Sequence, residues 1–394
     1  MTSTRRTVLT SVAALGAALT VPVGNAAATP AGSVPFRLPT PVGPYRIGTV
    51  PLHLTDSSRP EPWVPSRPCR ELMITVWYPA GPRVPARSHP RAPWMPPGEA
   101  SRCLARSGLG PDAVDFGRTH GHLRAPAAAA PAEGRPVVLY SPGSNASRAF
   151  GTTIAEDLVS HGYIVVTVDH TYDAIAVEFP GGRVESHPDG EIRDYAKALA
   201  VRTADIRFVL DRLDDLHAAS TDPRLPPGLC EALDLRRVGM VGHSLGGATT
   251  AGALHSDPRI TAGVSLDGGA AGPVVHAGLD RPFLIVDTPG KGGFAHNPAL
   301  RELWSRLRGW RMRLTVTGAA HQSFGDDALL LRLIAPLLGW TRQELEDQVG
   351  TLPLHRAQAF QRGWPRAFFD LHFHGRDGLV EQLPHHFPEV LVSR

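Results

Sequence analysis

The sequence predicts an α/β fold built on a doubly wound, mostly parallel sheet. Two observations carry this expectation. Short apolar runs alternate with helical patterns over about 200 residues from Pro136 onward. Within that stretch a G-x-S-x-G pentapeptide, Gly242-His243-Ser244-Leu245-Gly246, falls between an apolar run and a helix of small residues. The length of 394 residues is compatible with one extended sheet. The expected organisation is a single catalytic domain over 35–394, with an insertion or flap at 80–134 and a helical tail at 340–394.

Gly48 to Leu54 and Glu71 to Pro79 read as the first strands, the second marked by β-branched and aromatic residues and a closing proline. Residues 80–134 are rich in Pro, Gly, Ala and Arg and show no clear period. Trp94, Met95 and Phe116 within them favour a folded pocket wall over a linker. Pro136 to Tyr140 is a buried parallel strand that ends in the turn Ser141-Pro142-Gly143-Ser144. A helix from Ala149 to His161 and a strand from Tyr163 to Val168 complete a right-handed crossover. Ile192, Tyr195, Leu199, Ile206, Val209, Leu210 and Leu213 mark one long helix or two in tandem. Strands follow at Arg237 to Val241, Ile260 to Leu266, Pro282 to Val286 and Arg313 to Thr317, with a helix from Gly246 to His255. In the tail, Phe360, Trp364, Phe368 and Leu371 recur at helical spacing.

At the N-terminus, Thr4-Arg5-Arg6 precedes an apolar run from Val8 to Val23 and then Asn25-Ala26-Ala27-Ala28. Residues 1–28 read as a twin-arginine export signal. The run is interrupted and shorter than the roughly 20 apolar residues of a membrane span, so a secreted product without a stable span is expected. The formal net charge is +3, two of it from Arg5 and Arg6, which argues against a nucleic-acid partner. Cys69, Cys103 and Cys230 match no zinc or redox spacing and leave one disulfide or three free thiols open.

With 40 glycines in the chain the G-x-S-x-G pattern alone is weak, so its context decides. A strand before it and a small-residue helix after it are what a nucleophile elbow needs, and they specify the α/β-hydrolase fold with Ser244 as nucleophile. A serine hydroxyl needs a base of pKa near 7, and triad order in this fold places that base after the serine, beyond a late strand. His321 meets both conditions. His296 follows the preceding strand and suits a pocket or surface role, and His243 suits packing. His372, His374, His385 and His386 lack a carboxylate pattern for a metal, so no metal is expected. For the acid, Asp267 and Asp287 end successive strands and both remain open. The oxyanion hole should combine the N–H groups of Leu245 and Ser144.

On these residues the chain resembles the plasma-type platelet-activating-factor acetylhydrolases in their secreted bacterial branch. The resemblance runs from about Leu38 to the C-terminus. It is carried by Glu71 to Pro79, Ser141 to Ser144, Val168-Asp169-His170, Gly242 to Gly247, Leu266-Asp267-Gly268 and His321-Gln322-Ser323-Phe324. It implies Asp267 as the acid and hydrolysis of short acyl esters of lipids or small alcohols, with neither metal nor cofactor. The chain departs from the animal enzymes in its long 80–134 segment and in Pro142, where they carry a His. A cutinase-like polyester or lipid hydrolase, with its acid at Asp287, is the alternative. A hydrolase fold used only for binding is a third reading, but it has no need of nucleophile, base and acid in order.

Overall fold

The computed structural model describes residues 32–219, 221–290 and 292–394. The export signal expected at 1–28 lies outside them. Eleven strands form one sheet. In chain order they are β1 (Arg46–Asp56), β2 (Arg70–Ala80), β3 (Arg91–Pro93), β4 (Arg118–Leu123), β5 (Arg135–Ser141) and β6 (Ile164–Asp169). They continue as β7 (Leu233–His243), β8 (Ile260–Leu266), β9 (Phe283–Asp287), β10 (Arg311–Val316) and β11 (Val390–Ser393). The spatial order is β11-β10-β9-β8-β7-β5-β6-β2-β1-β4-β3. The six strands from β10 to β6 are mutually parallel, and β2 and β11 flank them antiparallel.

Helices cover both faces, which is why the central strands are apolar on both sides. Every residue of β5 and of β6 is buried. The two-residue alternation divides them: Val137 and Leu139 join one core cluster, Val138 and Tyr140 the other. On the first face lies α3 (Tyr195–Ala218), after α1 (Pro97–Arg106) and α2 (Thr152–Ser160) in the chain. The stripe from Ile192 to Leu213 thus resolves into one 24-residue helix, with Ile192 ahead of it and Asp194 capping it by accepting from the Lys197 N–H at 3.0 Å. On the second face α2 packs with the helix Leu354–His374, through Ile154, Leu158, Phe360, Trp364 and Phe368. The helix expected from Ala149 opens as a 3₁₀ turn, Arg148–Gly151, and becomes α only at Thr152.

Residues 80–134 are a folded wall that also widens the sheet, since they supply β3, β4 and α1. Trp94, Met95, Cys103 and Leu104 pack on Phe36, Phe150 and Leu329–Leu331, and the Trp94 indole donates to the Ala149 carbonyl at 3.0 Å. The tail is helical as expected but ends in the edge strand β11. The three cysteines are unpaired, Cys103 and Cys230 within the core. Among the described residues no helix is long and apolar enough to cross a membrane.

Candidate active site

The pentapeptide joins β7 to α4 (Leu245–Ser256) through Ser244, whose φ of 55° and ψ of −119° place a non-glycine residue in a strained turn. The flanking glycines are required sterically. A β-carbon at Gly242 would overlap the Gly246 carbonyl, and one at Gly246 would overlap the carbonyl of Ser141 on the neighbouring strand. The strand therefore turns directly into the helix, with Ser244 at the carboxyl edge of the sheet. Leu245 is the first helical residue, so its N–H has no acceptor within the helix.

Ser244, Asp267 and His321 come together as the sequence anticipates. The His321 Nε2 lies 2.9 Å from Ser244 Oγ, and its Nδ1 lies 2.6 Å from Asp267 Oδ2. Asp267 follows β8 in the left-handed region, at φ 46°. Its other oxygen accepts from the Thr288 N–H at 3.0 Å and the Thr288 hydroxyl at 3.2 Å. Burial raises the Asp267 pKa, but the hydrogen bond and charge of His321 outweigh it and hold the carboxyl below its usual range. Burial depresses the His321 pKa, and the hydrogen bond and charge of Asp267 more than reverse this, leaving the imidazole more basic than usual. The His321 side chain is 27 % exposed, so the base is only partly shielded from solvent.

The other candidates separate from this chain of hydrogen bonds. Asp287 accepts from the Thr315 hydroxyl at 2.6 Å, the Phe294 N–H at 2.9 Å and the Arg313 guanidinium at 3.3 Å, which makes it a brace for the loop after β9. His296 is exposed on the 3₁₀ turn Phe294–His296. The His243 Nε2 donates to the His321 carbonyl at 2.8 Å, and burial followed by the charge of His321 pushes its pKa down to about 3. It is a neutral strut beneath the base. His372 packs against Trp310 and Phe368, and His374 against Tyr163. Among the described residues no group of three or more His, Cys, Asp or Glu is arranged to hold a metal ion.

Ser144 lies in the turn after β5, on the strand beside β7. A β-carbon on its neighbour Gly143 would sit 3.4 Å from the Ser244 β-carbon, so this turn faces the serine. Sequence reasoning missed the groups behind the turn. The Ser141 hydroxyl bonds His170 Nε2 at 3.0 Å, and His170 Nδ1 bonds Asp205 at 3.0 Å. Asp205 is in turn held by the buried Arg70 at 2.7 Å. The available signal was Arg202 and Asp205, two charges inside the apolar stripe of α3, both fully buried.

Comparisons with known proteins identify the chain's relatives. The family model described as platelet-activating factor acetylhydrolase, isoform II, matches residues 33–200 and 227–359. A probable 1-alkyl-2-acetylglycerophosphocholine esterase of Arthroderma benhamiae is 28 % identical over 396 residues, covering 92 % of this chain and 95 % of that protein. The platelet-activating factor acetylhydrolase of Canis lupus familiaris is 26 % identical over 216 residues, and the match spans 48 % of each chain. Among solved structures, a ferulic acid esterase from Streptomyces cinnamoneus matches with a TM-score of 0.76 at 34 % identity, over 92 % of this chain and 100 % of that one. The protein is thus a carboxylic ester hydrolase with the α/β-hydrolase fold, and the chain belongs to the platelet-activating factor acetylhydrolase isoform II family.

Proposed function

We propose that the chain hydrolyses short-chain acyl esters through a serine acyl-enzyme, with Ser244 as nucleophile, His321 as general base and Asp267 as the acid that orients it. One observation carries the reading, the unbroken hydrogen-bond path from Asp267 Oδ2 through His321 to Ser244 Oγ, at 2.6 and 2.9 Å. His321 takes the hydroxyl proton as Ser244 attacks the acyl carbonyl, and Asp267 stabilises the imidazolium that forms. The oxyanion is received by the N–H groups of Leu245 and Ser144. His321 then returns the proton to the leaving alcohol. Water, deprotonated by the same imidazole, cleaves the acyl-enzyme and releases Ser244.

The acetyl preference is supported by the names of the relatives, which specify acetyl esters. A series of p-nitrophenyl esters tests it, with the highest kcat/KM expected from acetyl to butyryl. A peak at about twelve carbons or more would contradict it. A second reading, esters of aromatic acids, is favoured by the ferulic acid esterase that aligns over its whole length. Trp63 and Tyr195 pack against the apolar cluster that includes Leu245 and are the aromatic side chains such an acid could meet. Methyl ferulate belongs in the same series, and a kcat/KM above that of the butyryl ester would make this second reading the correct one. Export through the Arg5-Arg6 leader is part of the proposal, and cell fractionation with Arg5 and Arg6 replaced by Lys tests it.

A further inference from the structure

The turn that carries Ser144 is gripped from behind by one guanidinium. Arg202, on the inner face of α3 and fully buried, donates to the Pro142 carbonyl at 2.5 Å and to the Gly143 carbonyl at 2.9 Å. Two further donors go to Asp173, from Nε to Oδ2 at 2.6 Å and from the second terminal nitrogen to Oδ1 at 2.6 Å. Asp173 Oδ1 also accepts from the Asn145 N–H at 3.4 Å, and Asn145 stands in the left-handed region at φ 56°. Five consecutive residues of the turn are thereby engaged, since Ser141 is held by His170 at its start and Ser144 bonds the Asn145 amide at 3.3 Å.

A trans peptide unit is planar, with its C=O and N–H pointing in opposite directions. The Gly143 carbonyl and the Ser144 N–H belong to one such unit. Fixing that carbonyl on Arg202 therefore aims the Ser144 N–H away from α3. The Pro142 carbonyl fixes the Gly143 N–H in the same way. We propose that Arg202, neutralised by Asp173, is a positioning residue that sets the oxyanion donor at Ser144 by locking these two peptide planes. The proposal rests on the serine mechanism above.

Two physical points favour orientation over stability as the role of the pair. A buried ion pair generally stabilises a fold no better than well-packed apolar residues of similar volume. A planar fork with five donors can also span two carbonyls and a carboxylate at once, which the point charge of a lysine cannot. Positioned donors at a developing oxyanion are worth about 10²–10³ in turnover.

The test uses the full chain with two changes, Arg202→Lys and the double variant Arg202→Met/Asp173→Leu, which removes both charges together. In both, kcat for p-nitrophenyl butyrate should fall by about 10² while KM stays within about threefold. Affinity for a trifluoromethyl ketone, whose adduct places an oxyanion in the hole, should fall with kcat/KM. The pH inflection set by His321 should stay where it is. A folded double variant with kcat within about threefold of the parent, or a loss confined to KM, overturns the proposal. So does failure of both variants to fold, since the pair would then be structural. Ser244→Ala is assayed alongside: if it keeps its activity, the serine mechanism itself is refuted, which is a different result from an unaffected Arg202 variant.

Discussion

Replacing Asp267 by Asn tests the assignment of the acid at the level of a single proton. In the structure one Asp267 oxygen accepts two hydrogen bonds from Thr288, and the other faces His321 Nδ1 at 2.6 Å. The backbone N–H of Thr288 is only a donor, so the asparagine must turn its carbonyl oxygen toward it. Its amide NH₂ then faces Nδ1, which has to become the acceptor. The imidazole proton is driven to Nε2, the atom that should receive the proton of Ser244. The base is in place but in the wrong tautomer, a defect that costs about 10⁴ in turnover where it has been measured, or roughly 5.5 kcal/mol of transition-state stabilisation. Asp287→Asn removes charge from a carboxylate that serves Thr315, Phe294 and Arg313, none of which touches the serine, and should cost no more than about tenfold. Both are measured as kcat for p-nitrophenyl acetate, with far-ultraviolet circular dichroism to confirm folding. An active Asp267→Asn beside an inactive Asp287→Asn would refute the assignment and favour the cutinase-like arrangement.

Ser244→Ala should lower kcat by on the order of 10⁴ to 10⁶ with the fold intact, and more than a tenth of the activity remaining would remove Ser244 from the mechanism. Because Asp267 makes His321 more basic than usual, kcat/KM should rise with pH through an inflection above the ordinary histidine value of about 6.5. An inflection below it in the parent enzyme would contradict the stabilisation of the His321 imidazolium by Asp267. Asp326, beside Thr153, is pushed up to about 8 chiefly by burial. Its folded form holds a proton that the unfolded chain releases near pH 4, so this group's contribution to stability falls as the pH rises from about 4 to 8. The melting temperature of Asp326→Asn should therefore decline less across that window than that of the parent, and parallel curves would show that Asp326 is ionised throughout.

The parts of the fold that were readable from sequence are those buried on two sides. β8 is found residue for residue, because a parallel strand covered by helices must be apolar throughout and is cut off sharply by Asp267 and Gly268. β4 is the opposite case. Its residues Arg-Thr-His-Gly-His-Leu lie at the sheet margin, half of them partly exposed, and they carry no period to detect. β7 begins four residues earlier than its apolar run, since Leu233 and Asp234 pair with Arg135 and Pro136 before an irregularity at Val238. That extension depends on a partner strand far away in sequence, which local patterning cannot see.

The site divides along the same line. The elbow is legible because its glycines are demanded by overlaps within a few residues of one another and with the adjacent strand. The acid was legible only through the family resemblance, because Asp267 and Asp287 end neighbouring strands in equivalent fashion, and what distinguishes them in the fold is the direction each backbone takes afterwards. Asp267 turns into the left-handed region and meets His321, whereas Asp287 stays in register opposite Thr315. Arg202 and Asp205 offered a third kind of signal. A helix that packs an apolar face on a sheet gains nothing by placing charges on that face unless each finds a buried partner, since an unpaired buried charge costs several kcal/mol. Both do find one, in Asp173 and Arg70, and both partnerships end on the turn that faces Ser244. Charges in register with the apolar stripe of α3 thus mark the place where the scaffold gives up packing to hold the site.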